Sequence, residues 1–576
     1  MNAHKSALRS SRSSLAVCGG YPSIGCPPRR REVPAKASRS GRRDHDCVAD
    51  LGPDPVARRL ARLADDQRRA ATAPPGPVLC VAPAGSGKTT TVVARLAWRV
   101  AHGVDPASVS ALTFNRAAAV ELQERADAVL AELGHPAGAV RVRTFHALGR
   151  DILADAGVDV TRIAERPRVL EQLAGGPLPP AQLRYLDDAF TRLKLDPERG
   201  PGPEDAETHA AFAAYRAHLE RTGAIDLDDL VALAGPALQR DRALLARWRA
   251  RAGVLFVDEA QDLDKAQLDL GLLLAGERQD IFLVGDDDQT IYAWRLADVR
   301  RVLGLAARLP GLRRVDLQTN HRCAPEVVHR AARLVAHNRE RFDKRILASP
   351  RTRGEVRLLP DSGDEVSRAR LLLGAWWRED AKARRAILAR TNRELLPYAA
   401  VAAERDIPYR CAQDGLLLAH DGIDAALARC DTTRPLLPAL ATACREAALP
   451  AQLTSALLAW AAPFEAPDQL RDALAQRRRA HQRLARDDAR LTLATAHGTK
   501  GLEWDHVACV GHDEGVFPSG RALREADDPQ RVLEEERRLA YVAWTRARVT
   551  LTIVYDPGAP STFVREAFDT GELDAA

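Results

Sequence analysis

The stretch Val78-Leu79-Cys80-Val81-Ala82-Pro83-Ala84-Gly85-Ser86-Gly87-Lys88-Thr89-Thr90 decides how the rest of this chain is read. An apolar run enters a loop of small residues, then Gly-Lys-Thr, then the helical pattern Val92-Val93-Ala94-Arg95-Leu96. This order predicts a strand, a loop and a helix N-terminus. Such a loop aims backbone N–H groups at a polyphosphate, and the helix dipole adds positive potential. Ala84, Gly85, Ser86, Gly87, Lys88, Thr89 and Thr90 are therefore the expected phosphate cradle. Lys88 would reach the β- and γ-phosphates, and the Thr89 hydroxyl would hold Mg²⁺. Ala82 stands where the usual pattern opens with glycine.

Working outward, further apolar runs alternate with helical stretches: Val109-Ser110-Ala111-Leu112-Thr113-Phe114, Val254-Leu255-Phe256-Val257, Ile281-Phe282-Leu283-Val284, Ile387-Leu388-Ala389 and Val507-Ala508-Cys509-Val510. The alternation predicts an α/β fold of parallel sheets flanked by helices. Residues 150–235 and 412–488 break it. Both are rich in Ala, Leu and Arg and read as helical insertions.

The run at 254–257 ends in Asp258 and Glu259. Beside a phosphate loop, Asp258 would hold Mg²⁺ and Glu259 would take a proton from the attacking water. Away from one, the pair reads as a helix cap and a solvent-facing neighbour. The run at 281–284 leads to Gly285-Asp286-Asp287-Asp288-Gln289. Gln289 can orient the hydrolytic water, or it is a polar loop residue. Arg322 and Arg546 lie far along the chain. Each is a candidate to neutralise charge on a transferring phosphoryl group, with a surface ion pair as the alternative.

At 576 residues the chain exceeds one hydrophobic core. Apolar residues at 46% and charged ones at 28% give an ordinary globular balance. A net charge of +6 permits a nucleic-acid partner without requiring one. The nine cysteines are scattered with no Cys-x-x-Cys pair, which fits a reducing cytosol and argues against a zinc site or a disulfide framework. No apolar run reaches membrane-span length. Residues 1–50 are rich in Ser, Arg, Gly and Pro and read as a disordered basic tail.

The ordered series of motifs resembles the UvrD/Rep/PcrA family of superfamily 1 DNA helicases. It comprises Leu63-Ala64-Asp65-Asp66-Gln67; Ala84-Gly85-Ser86-Gly87-Lys88-Thr89; Leu112-Thr113-Phe114; Thr144-Phe145-His146; Asp226-Leu227-Asp228-Asp229-Leu230; and Asp258-Glu259-Ala260-Gln261-Asp262. It continues through Asp287-Asp288-Gln289-Thr290-Ile291-Tyr292-Ala293-Trp294-Arg295, Asn320-His321-Arg322, Ala496-His497-Gly498-Thr499-Lys500-Gly501-Leu502-Glu503-Trp504 and Tyr541-Val542-Ala543-Trp544-Thr545-Arg546.

The resemblance implies two RecA-like P-loop lobes, at 51–316 and 317–576, with ATP and Mg²⁺ between them. It implies 3′→5′ movement on single-stranded DNA and unwinding of 3′-tailed duplex, in a bacterial cytosol, alongside repair or replication proteins. By motif, Gln67 would read the adenine and Glu503 the ribose, while Gln289, Arg322 and Arg546 surround the γ-phosphate. Phe114, Thr144, Phe145, His146, Tyr292, Trp294 and His497 would lie along the DNA. Aromatic faces suit that task because they accept any base.

The chain departs from the family at several points. His321 stands where a tyrosine usually stacks on adenine, Asn115-Arg116 replaces a usual Asn-Lys, and Pro83 replaces a common glycine. The insertion at 412–488 is much shorter than the usual duplex-binding subdomain. These departures keep open an ATP-gated single-strand-binding module, or a translocase with little unwinding of its own. An RNA-directed motor is a further alternative.

Overall fold

A computed structural model describes residues 54–198, 206–360, 365–379, 382–411, 421–449, 454, 457, 458 and 460–575. The basic tail read at 1–50 and part of the stretch at 412–488 lie outside the described residues.

The first sheet contains β1 (Val78–Val81), β2 (Val109–Thr113), β3 (Arg141–Thr144), β4 (Val254–Val257), β5 (Ile281–Gly285) and β6 (Arg313–Asp316). Their order is β3-β2-β4-β5-β1-β6, and every neighbouring pair is parallel. Short strands β7 (Thr319–Asn320) and β8 (Leu347–Ala348) pair with each other. The second sheet contains β9 (Glu355–Pro360), β10 (Arg385–Ala389), β11 (Tyr409–Cys411), β12 (Leu491–Thr495), β13 (Trp504–Cys509) and β14 (Ala547–Tyr555). It is also parallel throughout, in the order β11-β12-β10-β13-β14-β9.

The inner strands β1, β2, β4, β5 and β10 are buried on both faces, which explains why they read as nearly continuous apolar runs, whereas the outer strands β3, β6 and β9 carry exposed or half-buried polar residues. In β1, Leu79 and Val81 face one core while Val78 and Cys80 face another. In β10, Ala386 and Leu388 face one core and Ile387 and Ala389 the opposite one. Five helices position the site: α1 (Asp65–Ala71), α2 (Lys88–Ala101), α3 (Phe145–Asp155), α4 (Pro325–Val335) and α5 (Pro529–Trp544).

Between β3 and β4 the chain is helical. A buried ionic node ties the helices of this stretch to one another. Arg166 pairs with Asp226 at 2.8 Å, Lys194 bridges Asp226 and Asp229 at 2.9 and 2.7 Å, and Tyr215 Oη donates to Asp226 at 2.8 Å. The acidic run 226–229 is thus a structural tie. Among the described residues, no helix is long and apolar enough to cross a membrane.

Burial of His512 predicts a contribution to acid lability. His512 Nε2 accepts from Trp544 Nε1 at 2.9 Å, and burial pushes the imidazole down to about 3. The unfolded chain takes up this proton near pH 6.5, so the contribution is complete above that value and is lost as pH falls toward 3. Thermal melts of His512→Gln, which keeps an acceptor for Trp544, are expected to vary less between pH 7 and 5 than those of the parent. Equal slopes would show that other groups carry the acid lability.

Candidate nucleotide and nucleic-acid site

The motif residues collect where strands end. β1 runs into the loop 82–87, β4 into Asp258-Glu259, and β5 into the turn 286–289. In open parallel sheets, the carboxyl ends of the strands are where ligands bind. The loop needs its glycines. Gly85 and Gly87 have φ of +69° and +81°. A Cβ on Gly85 would meet Asn320 Oδ1 at 2.6 Å, and one on Gly87 would meet Gln67 Nε2 at 2.5 Å. Elements from elsewhere in the chain hold the loop closely: His321 N donates to Gly85 O at 2.8 Å, and Ala84 N donates to Tyr541 Oη on α5 at 3.4 Å.

A cavity of about 400 Å³ opens over this loop. Ala84 to Thr90, Phe114, Asp258, Glu259, Gln289, Tyr292, Arg322, Glu503 and Arg546 all line it. The distant arginines therefore converge on Lys88 and Asp258. Arg322 Nε donates to Glu503 at 2.7 Å. Arg546 is buried; its Nη2 donates to Gln289 Oε1 at 3.3 Å, and its Nε and Nη1 donate to the carbonyls of Val542 and Leu502. Burial and the neighbouring Arg322 lower Arg546 to about 10.

Lys88 lies 3.5 Å from Glu259. Burial alone would raise the Glu259 carboxyl, but Lys88 and Lys500 outweigh it and hold the group ionised. Burial and Glu259 push Asp258 in the opposite direction. Glu259 also adopts a left-handed backbone, φ +52°. Non-glycine residues hold that conformation only where their surroundings impose it.

Several features fit a polyphosphate and a cation. Ser86 Oγ is buried without a hydrogen-bond partner at the loop, and Asp262 Oδ1 is likewise orphaned. The cradle excludes Cβ atoms at two positions, and five cationic residues, Lys88, Arg125, Arg322, Lys500 and Arg546, line the same cavity as Asp258 and Glu259. Gln67 sits beside the cavity rather than in it. Its Nε2 donates to Ser86 O at 2.8 Å and its Oε1 accepts from Ala64 N at 3.1 Å. The His321 side chain is exposed.

The aromatic residues form a group at the cavity's edge. Phe114 and Tyr292 stack with centroids 5.3 Å apart and planes 9° off parallel. Trp294 meets Tyr292 edge-on at 6.1 Å and is 59% exposed. His146 lies near Asp228 and Arg295, with burial as the main influence depressing its imidazole. Thr144 Oγ1 caps α3 by accepting from Ala147 N at 3.2 Å. His497 is half-buried and lowered to about 4 by burial and Arg390.

The resemblance implies that Phe145 lies along the DNA, but the residue is 2% exposed and packs with Leu148 and Ile152 in the core against the first sheet. As the first residue of α3 it turns inward, while His146 beside it stays partly exposed.

Three further residues escaped the sequence reading. Lys500 contacts the Asp262 carboxylate, donates to Gln289 O at 3.1 Å, and lies 5.3 Å from the Tyr292 ring centroid. Asn320 Oδ1 accepts from Arg322 N and Cys323 N, both at 2.8 Å, and so orients the arginine. Tyr541 reaches the phosphate loop from α5. Lys500 stands three residues before Glu503 in the motif 496–504, which is the signal that marks it.

Two family patterns match this chain: the UvrD/REP helicase N-terminal domain over residues 63–201 and 181–310, and the UvrD-like helicase C-terminal domain over 461–557. The chain belongs to the UvrD/Rep helicase family. Within that family it is 32% identical over 566 residues to the ATP-dependent DNA helicase UvrD2 of Mycobacterium tuberculosis, covering 87% of this chain and 79% of the relative. It is 27% identical over 624 residues to DNA helicase II of Escherichia coli, covering 86% and 84%. To the ATP-dependent DNA helicase Rep of Salmonella typhimurium it is 25% identical over 635 residues, covering 89% and 92%. In this UvrD/Rep family member, the matched segments carry Lys88, Asp258, Glu259 and Gln289 on one side and Glu503 and Arg546 on the other.

Proposed function

We propose that this chain is an ATP-dependent DNA helicase or translocase that moves 3′→5′ on single-stranded DNA and opens 3′-tailed duplex in DNA repair or replication. One observation carries the reading. Lys88, Asp258 and Glu259 from the first sheet share a cavity with Arg546 from beside the second, and the wall of that cavity carries the Phe114–Tyr292 stack.

The chemistry follows from the donors. Lys88 and the loop N–H groups bind the phosphates. Thr89 and Asp258 are the residues that would hold Mg²⁺, which neutralises phosphate charge when bound. Glu259 accepts the proton of the attacking water. Phosphates drawn to Lys88 weaken its hold on Glu259, which raises the proton affinity of the carboxylate when a base is needed. Gln289 offers its carboxamide to the γ-phosphate, while Arg322 and Arg546 neutralise charge as the phosphoryl group transfers. Gln67 and Glu503 flank the nucleoside end.

Coupling to DNA runs through Lys500, which touches the acids, the Gln289 carbonyl and the Tyr292 ring at once. Bases stack on Trp294 and the neighbouring rings at ~1–3 kcal/mol each, whatever the sequence. Trp294→Ala is therefore expected to keep DNA-free ATPase while single-strand affinity falls by about that energy per stacked base. Fluorescence anisotropy and ATPase assays on the same preparation check this, and unchanged affinity and stepping would remove Trp294 from the track.

Streptavidin displacement tests the function. Movement 3′→5′ should strip streptavidin from a 5′-biotinylated oligonucleotide and leave a 3′-biotinylated one alone. DNA-stimulated hydrolysis without displacement from either end would favour an ATP-gated binding module.

A further inference from the structure

The turn after β5 places three consecutive carboxylates, Asp286, Asp287 and Asp288, in the protein interior. Left to themselves they would repel one another and the turn could not hold its shape. Lys344, with a fully buried side chain, reaches all three: Asp286 at 3.0 Å, Asp288 at 2.9 Å, and Asp287 in a short contact. Arg341 forks onto Asp288 at 3.0 and 2.8 Å, and Phe342 N donates to Asp287 Oδ2 at 2.8 Å. Burial raises Asp288, yet Lys344 and Arg341 outweigh it and keep the carboxylate ionised.

The clamp is anchored on α5. Arg339 N and Glu340 N donate to the Glu534 carboxylate at 3.0 and 3.1 Å. Arg538 Nη2 donates to Glu340 O at 2.7 Å. Two residues past the end of that helix stands Arg546, and its Nη2 meets Gln289 Oε1. The Gln289 Nε2 in turn donates to Asp286 Oδ2 at 2.6 Å, while Asp286 Oδ1 accepts from Lys344. The circuit closes: α5, the segment 339–344, Asp286, Gln289, Arg546, and α5 again.

We infer that Lys344 is a positioning residue for hydrolysis: it sets Asp286, which turns the Gln289 carboxamide so that Nε2 faces inward and Oε1 faces Arg546. Lys344 lies outside the nucleotide cavity and acts only through this turn. The inference rests on the proposed role of Gln289 at the γ-phosphate. It also makes α5 the ruler that keeps Gln289 and Arg546 in register. A purely structural neutralisation of buried acids is the competing account, because removing one partner of a buried ion cluster destabilises a fold on its own.

A double-mutant cycle separates the two, using single-strand-stimulated ATPase of the full chain and a urea melt of each variant. Lys344→Met is expected to lower kcat by about tenfold or more with the KM for ATP within about threefold. Added to Gln289→Ala, it should lower kcat by less than about twofold further, and Lys344→Arg should restore much of the loss. If Lys344→Met does not fold, Arg341→Gln, which loosens the same turn from its half-buried rim, enters the cycle instead, with the same non-additivity expected. A full multiplicative loss on top of Gln289→Ala, or parental kcat in the folded clamp variant, overturns the proposal and leaves Gln289 in its role. Parental kcat in Gln289→Ala alone overturns the role of Gln289, and this proposal with it.

Discussion

Glu259→Gln is expected to bind ATP and turn it over ~10²–10⁴ times more slowly, the range a positioned general base contributes. Among the described residues, the carboxylate is the only group near Lys88 that is both held ionised by cations and free of an obligatory structural bond. Its one neutral partner is Gln261, whose Nε2 donates to it at 2.6 Å. The amide oxygen introduced by Glu259→Gln would still accept that bond, so the fold should survive. Lys88→Ala should also abolish hydrolysis, but through binding: its ammonium is the only side-chain cation of the stretch 82–90, and Lys500 at 3.9 Å still faces Glu259 when it is gone. Mant-nucleotide binding and steady-state ATPase distinguish the pair, with binding retained in Glu259→Gln and weakened in Lys88→Ala. Parental turnover in Glu259→Gln would take that residue out of the base role.

Arg546→Lys and Arg546→Ala carry the second large expectation, a fall of ~10³–10⁵ in kcat if the guanidinium neutralises the transferring phosphoryl group. Lysine keeps the charge and loses the fork, so it should recover little. Arg546→Ala also strips a donor from the Leu502 carbonyl, costing ~1–3 kcal/mol for a group left unsatisfied, while the Val542 carbonyl keeps Thr545 Oγ1 at 3.2 Å. Arg546→Lys is the cleaner measurement for that reason. A loss in stability with kcat preserved would make Arg546 a packing residue, and nucleotide would then be processed by the first sheet domain alone.

How much of this was legible in the amino-acid order depended on the kind of contact. The inner strands β1, β2, β4, β5, β10 and β13 could be read because buried strands appear as apolar runs, with functional residues in the loops that follow several of them, whereas outer strands such as β3 (Arg141–Thr144) and β6 (Arg313–Asp316) carry polar residues and gave no such signal. Lys88, Asp258, Glu259 and Gln289 belong to that class. Arg322 and Arg546 could be raised as candidates, but choosing the γ-phosphate over a surface ion pair took the resemblance, since nothing local marks an arginine such as Arg546 that meets a glutamine 257 positions away. Phe145 failed because a motif names a segment, not the direction of each side chain; at the first position of α3, packing took the ring inward. Lys344 was invisible for a related reason. A lysine in an Arg-rich stretch reads as solvated surface, and only the fold shows three buried carboxylates waiting for it. The short contact network around Lys500 likewise exists only once the turn at 286–289 and the segment before β13 meet.

The most direct test of the central claim, that hydrolysis in this two-sided cavity drives the aromatic track along a strand, is a translocation time course on single-stranded oligonucleotides of increasing length, read by a fluorophore at the 5′ end while phosphate release is followed in the same mixture. Arrival time should rise linearly with length, with a fixed number of ATP molecules consumed per added nucleotide, and Glu259→Gln should abolish both signals. Arrival independent of length while DNA-stimulated phosphate release continues would contradict the claim.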